Sequence, residues 1–416
     1  MAKGRENTVI RQLLDHDVSD VTDSELGFHL GTTRALQWYF GSQGDAYAQV
    51  LRGQADDPHP LYAAVRERGP LHLSMVGSWV TADPAVAETV LSGDAFGVAA
   101  ADGRGVEPQA LPFFAAGLTG IEHSEADRLR ELWEPLFGAD AVKGHRSAVE
   151  ETHRDLADRL TTAEGFDLVA DFARPAAVAV TACVLGVADE DRGRFADLCA
   201  RLAVLPDSLL APQRLTTVRD LDSAATELRA LLGGTSDDSP DMATVRALLA
   251  AEGVTATVNL IGNAVRALLD HPDQWKRLRD APDLAESAVH ETLRYDPPIQ
   301  LEARVARTAT EVGGQSVPAG AHVVVATAAL GRDPALHAEP DRFDLTRAHA
   351  SPAPHPSAFP GGGHREVAEP LSLLQAEVAL RTLVEYLPRL RRTGPVVYRR
   401  RAPVTRGPLE LPASAS

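Results

Sequence analysis

The sequence predicts a mainly α-helical protein with a minor β part. Apolar residues recur at helical spacing through most of the chain from about residue 84 to 290. A strand-rich stretch follows at 302–330, interrupted by the glycine turn 313-GGQSVPAGAH-322. We see no internal repeat and no flexible linker within the 416 residues that would separate two domains.

Two helices are predicted near the start of the chain. In residues 6–16 one helical face is apolar: Val9, Ile10, Leu13 and Leu14. The second helix covers 24–40 with Ser24 as its cap, and the break 41-GSQGD-45 ends it.

The remaining elements follow in order. The pattern predicts a helix at 60–69, a hairpin of strands at 70–76 and 78–82, a long central helix in the region 258–275, strands at 302–312 and 323–330, a loop-like stretch at 331–347 and a long helix at 370–386. A Pro-rich stretch and a glycine-rich turn, 351-SPAPHPSAFPGGGH-364, precede the last helix.

The net charge of −17 argues against nucleic acid and anionic membranes as partners, because both are polyanions. The first ten residues contain no apolar signal core, and no run is long enough to span a bilayer, so we expect a cytoplasmic protein. Neither Cys183 nor Cys199 has a spacing or context that predicts a disulfide or a zinc site.

Several motifs in the second half of the chain occur in one order. The helix 286–298 contains Glu291 and Arg294 as E-x-x-R, and 317-VPAGAHVVVATAALGRDP-334, 339-EPDRFDLTR-347 and the loop 359-FPGGGHREVA-368 follow. In this order they resemble the bacterial cytochrome P-450 superfamily, over roughly residues 46–400. We therefore expect a P-450-like domain at 46–416, preceded by a helical extension at 1–45.

The resemblance fails at the haem ligand. The loop of the family reads F-G-x-G-x-H-x-C-x-G, and its Cys thiolate binds the iron. Here His364 is kept, but Glu366 occupies the Cys position and Ala368 replaces the last glycine. A carboxylate is a hard oxygen donor that cannot replace a soft thiolate electronically.

Two further parts of the haem site depart from the family pattern. The acid and Thr that relay protons to dioxygen become Thr255 and Ala256, so a proton donor is missing there. The propionate-binding His becomes Ala126, although Arg130 and the second propionate partner, Arg304, are kept. Together these changes predict a scaffold without haem, without another cofactor and without a metal site.

We expect a buried charged network to be retained although the haem site is lost. The resemblance implies that Glu291 and Arg294 belong to a buried ion network that supports the fold, with Arg342 as its third member. Removing one partner of a buried ion pair costs roughly 3–5 kcal/mol.

The aromatic cluster of the second helix has two interpretations. Its apolar side chains either complete the core or form a docking surface for a partner: Leu36, Trp38, Tyr39 and Phe40. The helix lies before the point where the sequence pattern of the family begins. This position favours docking, because the apolar side chains of an added element need another surface against which they are buried.

One branch of the superfamily fits these features, and the segment 36-LQWYFGSQGDAYAQVLRG-53 on a haem-less body resembles it. It comprises P-450-like auxiliary proteins of glycosyltransferases in macrolide and anthracycline biosynthesis. The resemblance implies a noncatalytic activator that binds a glycosyltransferase, which attaches a deoxysugar from a dTDP-sugar to a polyketide aglycone. Two alternatives stay open: a haem enzyme of isomerase or dehydratase type that uses His364 or Glu366 as ligand, and a haem-free carrier of a hydrophobic small molecule.

Overall fold

A computed structural model describes residues 22–98, 123–233, 240–347 and 363–415. The α-helices of these ranges are α1 Asp23–Ser42, α2 Ala46–Leu51, α3 His59–Arg66, α4 Pro84–Ser92, α5 His123–Phe137, α6 Ala139–Lys143, α7 Arg146–Leu160, α8 Arg174–Val184, α9 Arg192–Leu202, α10 Leu205–Ser208, α11 Leu215–Leu232, α12 Pro240–Leu248, α13 Val254–Asp270, α14 Pro272–Asp280, α15 Ala285–Tyr295, α16 Thr327–Leu330 and α17 Gly363–Tyr386. Short 3₁₀-helices occur at Asp189–Asp191 and Pro282–Leu284, and π-helical turns at Val169–Ala173 and Leu249–Gly253.

The strands are short and form small sheets. They are β1 His72–Leu73, β2 Trp79–Thr81, β3 Phe96–Gly97, β4 Phe166–Asp167, β5 Glu302–Ala306, β6 Thr310–Val312, β7 Gln315–Val317, β8 His322–Val325, β9 Arg391–Arg392, β10 Val397–Tyr398, β11 Pro408–Glu410 and β12 Pro412–Ser414. The five-stranded sheet has the order β1-β2-β8-β5-β3, and β2 and β8 are parallel. Gly313 and Gly314 connect β6 to β7 with positive φ values of 57° and 72°, as a two-residue hairpin turn requires.

One long helix organises the molecule. α12, the π-helical turn Leu249–Gly253 and α13 are continuous, and we call them the central helix. Within the described ranges it alone is long and apolar enough to cross a membrane, but 89% of the tested window is buried inside the protein. Such burial is typical of the core helix of a globular fold.

The largest core cluster surrounds the central helix and α17, with α5, α7, α8, α9 and α11 packed around them. Two smaller clusters lie on opposite faces of the five-stranded sheet. Val324 points into one of them, whereas Val323 and Val325 point into the other, as the alternation of side chains along a strand dictates.

The predicted fold class, mainly α with a minor β part, is confirmed. The predicted helix at 6–16 lies outside the described residues. Three boundaries were wrong: α1 is capped by Thr22 rather than Ser24, α17 begins at Gly363 rather than 370, and residues 327–330 form the helix α16 instead of continuing the strand. The cap is a capping box, in which Glu25 N donates to Thr22 Oγ1 at 3.3 Å and Thr22 N donates to Glu25 Oε2 at 2.9 Å.

Candidate functional site

The residues that correspond to a haem site lie where the central helix meets α17. Thr255 and Ala256 follow the π-helical turn and are buried. Thr255 Oγ1 donates to the carbonyl of Ala251 at 3.4 Å, so its hydroxyl faces its own helix. Ala256 belongs to the main core cluster.

On the other side of this junction, the first turn of α17 contains the positions of His364 and Glu366, whose side chains lie outside the described part of the structure. Val367 and Ala368 are buried and belong to the main core cluster. A Cβ atom built on Gly253 of the central helix would lie 3.5 Å from the Cβ atom of Ala368. One turn further along, Thr257 Oγ1 donates to Ser372 Oγ at 2.8 Å, and both side chains are buried.

The central helix and α17 lie close together beside these positions. Since a C–C bond adds about 1.5 Å, the Gly253 Cα atom and the Ala368 Cβ atom are at most about 5 Å apart. A flat macrocycle requires roughly 7 Å between flanking carbon atoms, twice the van der Waals contact distance of 3.5–4.0 Å, so a haem group does not fit between Gly253 and Ala368.

The predicted propionate-binding positions lie on two elements, α5 and β5. Ala126 lies in α5, and its side chain is outside the described residues. Arg130 is half-buried on the same helix. Arg304 is buried in β5, where its Nη1 atom donates to the carbonyl of Ala303 at 2.9 Å and its Nη2 atom donates to Glu302 Oε2 at 3.4 Å. Both of these hydrogen bonds are made within its own strand.

The charged network around Glu291 is buried beside α15. Arg294 forms a two-pronged ion pair with Glu291, with Nε–Oε2 and Nη2–Oε1 distances of 2.8 Å each. Asp344 N donates to Glu291 Oε1 at 2.9 Å, and Arg347 Nε approaches the same oxygen at 3.3 Å. Bidentate pairing with extra donors is the geometry in which a buried carboxylate is well compensated.

Arg342 takes part in this network differently from the sequence prediction. Its main-chain carbonyl accepts from Arg294 Nη2 at 2.9 Å, whereas its side chain is 54% exposed and pairs with Glu339 and Asp344. The third charged side chain of the network, beside Glu291 and Arg294, is the guanidinium of Arg347, which sequence reasoning missed.

A cleft lies beside the central helix, between α8, α9 and the C-terminal segment 398–409, and Thr255 is part of its wall. Its cavity volume is about 100 Å³, and it opens to solvent. The apolar part of its wall includes Val178, Ala196, Ala200, Val254 and Val258. Arg174 and Arg399 also line it, and sequence reasoning singled out neither.

The helix α1 is fixed to this body on one side. Leu26 and Leu30 are buried in the main core cluster. Arg34 Nη2 donates to the carbonyls of Pro212 at 3.1 Å and Gln213 at 3.0 Å, and Gln37 Nε2 donates to the carbonyl of Leu210 at 3.0 Å.

The side chains of the predicted aromatic cluster of α1 differ in their exposure to solvent. Trp38 is 46% exposed and Tyr39 is 59% exposed, whereas Leu36 and Phe40 are half-buried. The guanidinium of Arg52 lies 4.5 Å from the Trp38 ring centroid. Phe28 is 64% exposed and was missed, although its spacing of eleven residues from Tyr39 places both rings on one helical face.

Comparison with known proteins agrees with the fold. A cytochrome P450 family profile matches residues 247–357. The chain is 51% identical to protein DesVIII of Streptomyces venezuelae, over 97% of both chains. It is 37% identical to protein AknT of Streptomyces galilaeus, over 95% of this chain and 97% of AknT. It is also 36% identical to the cytochrome P450 family protein EryCII of Saccharopolyspora erythraea, over 93% of this chain and 98% of EryCII.

The chain belongs to the cytochrome P450 family. Ligand-free CYP164A2 of Mycobacterium smegmatis superposes with a TM-score of 0.76 at 27% identity, covering 89% of this chain and 99% of that one. The predicted superfamily and its P450-like fold are therefore confirmed.

Proposed function

We propose that this P450 family member is a noncatalytic, cytoplasmic auxiliary protein that binds and activates a glycosyltransferase. The transferase attaches a deoxysugar from a dTDP-sugar to a polyketide aglycone in antibiotic biosynthesis. Three features support the proposal: the resemblance to the auxiliary branch of the superfamily, the similarity to DesVIII and AknT along nearly the whole chain, and the direct packing of Gly253 against Ala368.

The observation that carries the proposal is the outward face of α1. Phe28, Gly31, Ala35 and Tyr39 recur at helical spacing, and all four are exposed. This face has no charged residue in a protein whose net charge is −17. Aromatic side chains flanking small residues at an uncharged centre are typical of interface hot spots.

The helix is also suited to be a rigid docking platform. Its opposite face is locked by Leu26 and Leu30 in the core and by the hydrogen bonds of Arg34 and Gln37. A preorganised surface loses little conformational entropy on binding, so more of the contact energy appears as affinity. We therefore place the transferase on α1, within the proposed N-terminal extension 1–45, where Trp38 and the half-buried Leu36 and Phe40 border the exposed face.

Activation requires no chemical group from this chain. A partner that binds only the competent conformation of the transferase increases the population of that conformation by its differential affinity. At a partner concentration 100 times the dissociation constant, this stabilisation amounts to about 2.7 kcal/mol.

The test compares transferase binding and activity with matched variants. Truncating both exposed rings in the double variant Phe28→Ala/Tyr39→Ala removes about 2 kcal/mol or more for each hot-spot residue, which is roughly 30-fold in affinity per ring. Leu336→Ala is the control, since Leu336 is 42% exposed and lies far from α1 in the sequence. We expect the control to bind and activate normally.

Two outcomes separate the parts of the proposal. If the folded double variant binds the transferase with unchanged affinity, α1 is not the docking surface. If the wild-type protein neither binds a transferase nor raises its turnover of dTDP-sugar, the activator function itself is wrong.

A further inference from the structure

Two arginine side chains in the cleft beside the central helix form no ion pair within the described ranges. Arg174 begins α8, and Arg399 lies just after β10. Both line the cleft, and neither forms an ion pair or hydrogen bond with a described residue. Their neighbours differ in this respect: Arg400 pairs with Asp56 at 2.9 Å, and Arg406 pairs with Asp296 at 2.9 Å.

The two cations influence each other electrostatically. Burial lowers the pKa of the Arg399 guanidinium most; the carboxylate of Asp207 opposes this effect, and the positive charge of Arg174 adds to it. Asp207 is committed elsewhere, because its Oδ1 atom accepts from Val404 N and Thr405 N at 2.8 Å each and its Oδ2 atom accepts from the Thr405 hydroxyl.

This arrangement is unexpected in an acidic protein. The chain has 58 carboxylate residues against 41 lysines and arginines, so counter-ions are abundant. Two half-buried like charges that form no ion pair repel each other in the empty cleft. An anion that bridges both guanidiniums would remove this repulsion and gain charge-assisted hydrogen bonds.

Part of the rest of the cleft wall is apolar. Val254 and Val258 of the central helix line it together with Val178 of α8 and Ala200 of α9. The cleft has a cavity volume of about 100 Å³ and opens to solvent, and small-molecule sites are typically apolar with a few placed polar groups.

We propose that this cleft binds a small amphipathic anion, whose carboxylate or phosphate group lies between Arg174 and Arg399 and whose apolar body packs on the central helix. The site is separate from the α1 docking face and does not depend on the proposed activation of a glycosyltransferase.

Thermal unfolding of the full chain tests this site with four probes: decanoate, decyl phosphate, decanol and inorganic phosphate. We expect both acidic decyl probes to raise the Tm more than decanol, and inorganic phosphate to have the smallest effect. The comparison of decanoate with decyl phosphate shows which head group the two guanidiniums prefer. If decanol stabilises the protein as much as either anion, the arginines do not define the ligand and the proposal fails.

Matched arginine variants provide the second test, in which the affinity for the anion is measured. Arg174→Gln and Arg399→Gln each remove one charge-assisted contact, so we expect the affinity for the preferred anion to fall about tenfold or more. Arg400→Gln, at the adjacent exposed arginine, is expected to keep it.

The ligand-free Tm provides a readout that distinguishes a binding role from a structural one. Because the two guanidiniums repel each other, Arg174→Gln and Arg399→Gln are expected to leave the ligand-free Tm unchanged or to raise it. A lowered ligand-free Tm combined with unchanged anion affinity would show that the arginines support the fold and would overturn the proposal.

Discussion

Restoring the missing iron ligand is expected not to restore haem binding. The variant Glu366→Cys supplies the thiolate that the P450 family uses. The variant does not change the packing between α17 and the central helix, where Gly253 and Ala368 are at most about 5 Å apart and a macrocycle between them would need roughly 7 Å.

The free-energy cost of opening this gap follows from its contacts. Moving the start of α17 away by about 2 Å breaks the Thr257–Ser372 hydrogen bond, worth about 1 kcal/mol. It also loosens Val367 and Leu371, whose full burial contributes about 1.5–3 kcal/mol each. The sum is about 4–7 kcal/mol, which weakens haem affinity by about 10³- to 10⁵-fold relative to an open gap.

The assay is the absorption spectrum of purified protein expressed with ample haem, with haem content measured against protein concentration. We expect neither wild type nor Glu366→Cys to show a Soret band at one haem per chain, and Glu366→Gln is the control that lacks both carboxylate and thiolate. A stoichiometric band in Glu366→Cys would refute the packing argument. A stoichiometric band in the wild type would instead favour the haem enzyme, with His364 or Glu366 as the ligand.

Two further predictions concern stability. Glu291→Ala leaves the Arg294 guanidinium without its buried carboxylate, so we expect it to lower the free energy of unfolding by about 3–5 kcal/mol, or the Tm of a chain of this length by about 3–6 °C. Arg342→Ala is expected to change the stability little because that side chain is exposed. Equal losses of stability for the two variants in denaturant titrations would contradict this ranking. Burial lowers the pKa of His153 to about 4, below the ordinary value of 6.5. Between pH 6.5 and 4 the folded state therefore binds fewer protons than the unfolded state, so the protein loses stability as the pH falls through this range. His153→Leu should flatten the slope of Tm against pH in that window, and an unchanged slope would show that His153 does not cause the loss.

The sequence predicted best the features that depend on local pattern. Helix α1 and the sheet strands follow from spacing, and the capping box was readable in 22-TDSE-25, although Ser24 was chosen. The predicted start of α17 at residue 370 was wrong, because the helix begins at Gly363 and continues through Pro370.

Tertiary contacts account for most of what was missed at the sites. Arg347 reaches Glu291 across 56 residues, and Arg399 lines the same cleft as Arg174, although no local pattern connects the C-terminal segment to α8. The substitution Ala368 was recognised from the motif. Its consequence, direct contact with Gly253, required the packing of two helices that are distant in sequence.

Hydrogen bonds connect α1, the proposed docking helix, with the cleft, and this connection offers a route by which a bound ligand would influence the partner. Arg34 of α1 donates to the carbonyl of Gln213, and Gln213 Nε2 donates to the carbonyl of Arg401 at 3.1 Å, two residues after Arg399. A second connection runs from Trp38 through Arg52 to Gly53, whose carbonyl accepts from Arg401 N at 2.9 Å. Contiguity alone does not establish coupling. If an anion in the cleft does fix this segment and thereby α1, thermodynamic linkage requires the effect to be reciprocal, so a bound transferase would tighten the cleft for its ligand by the same factor.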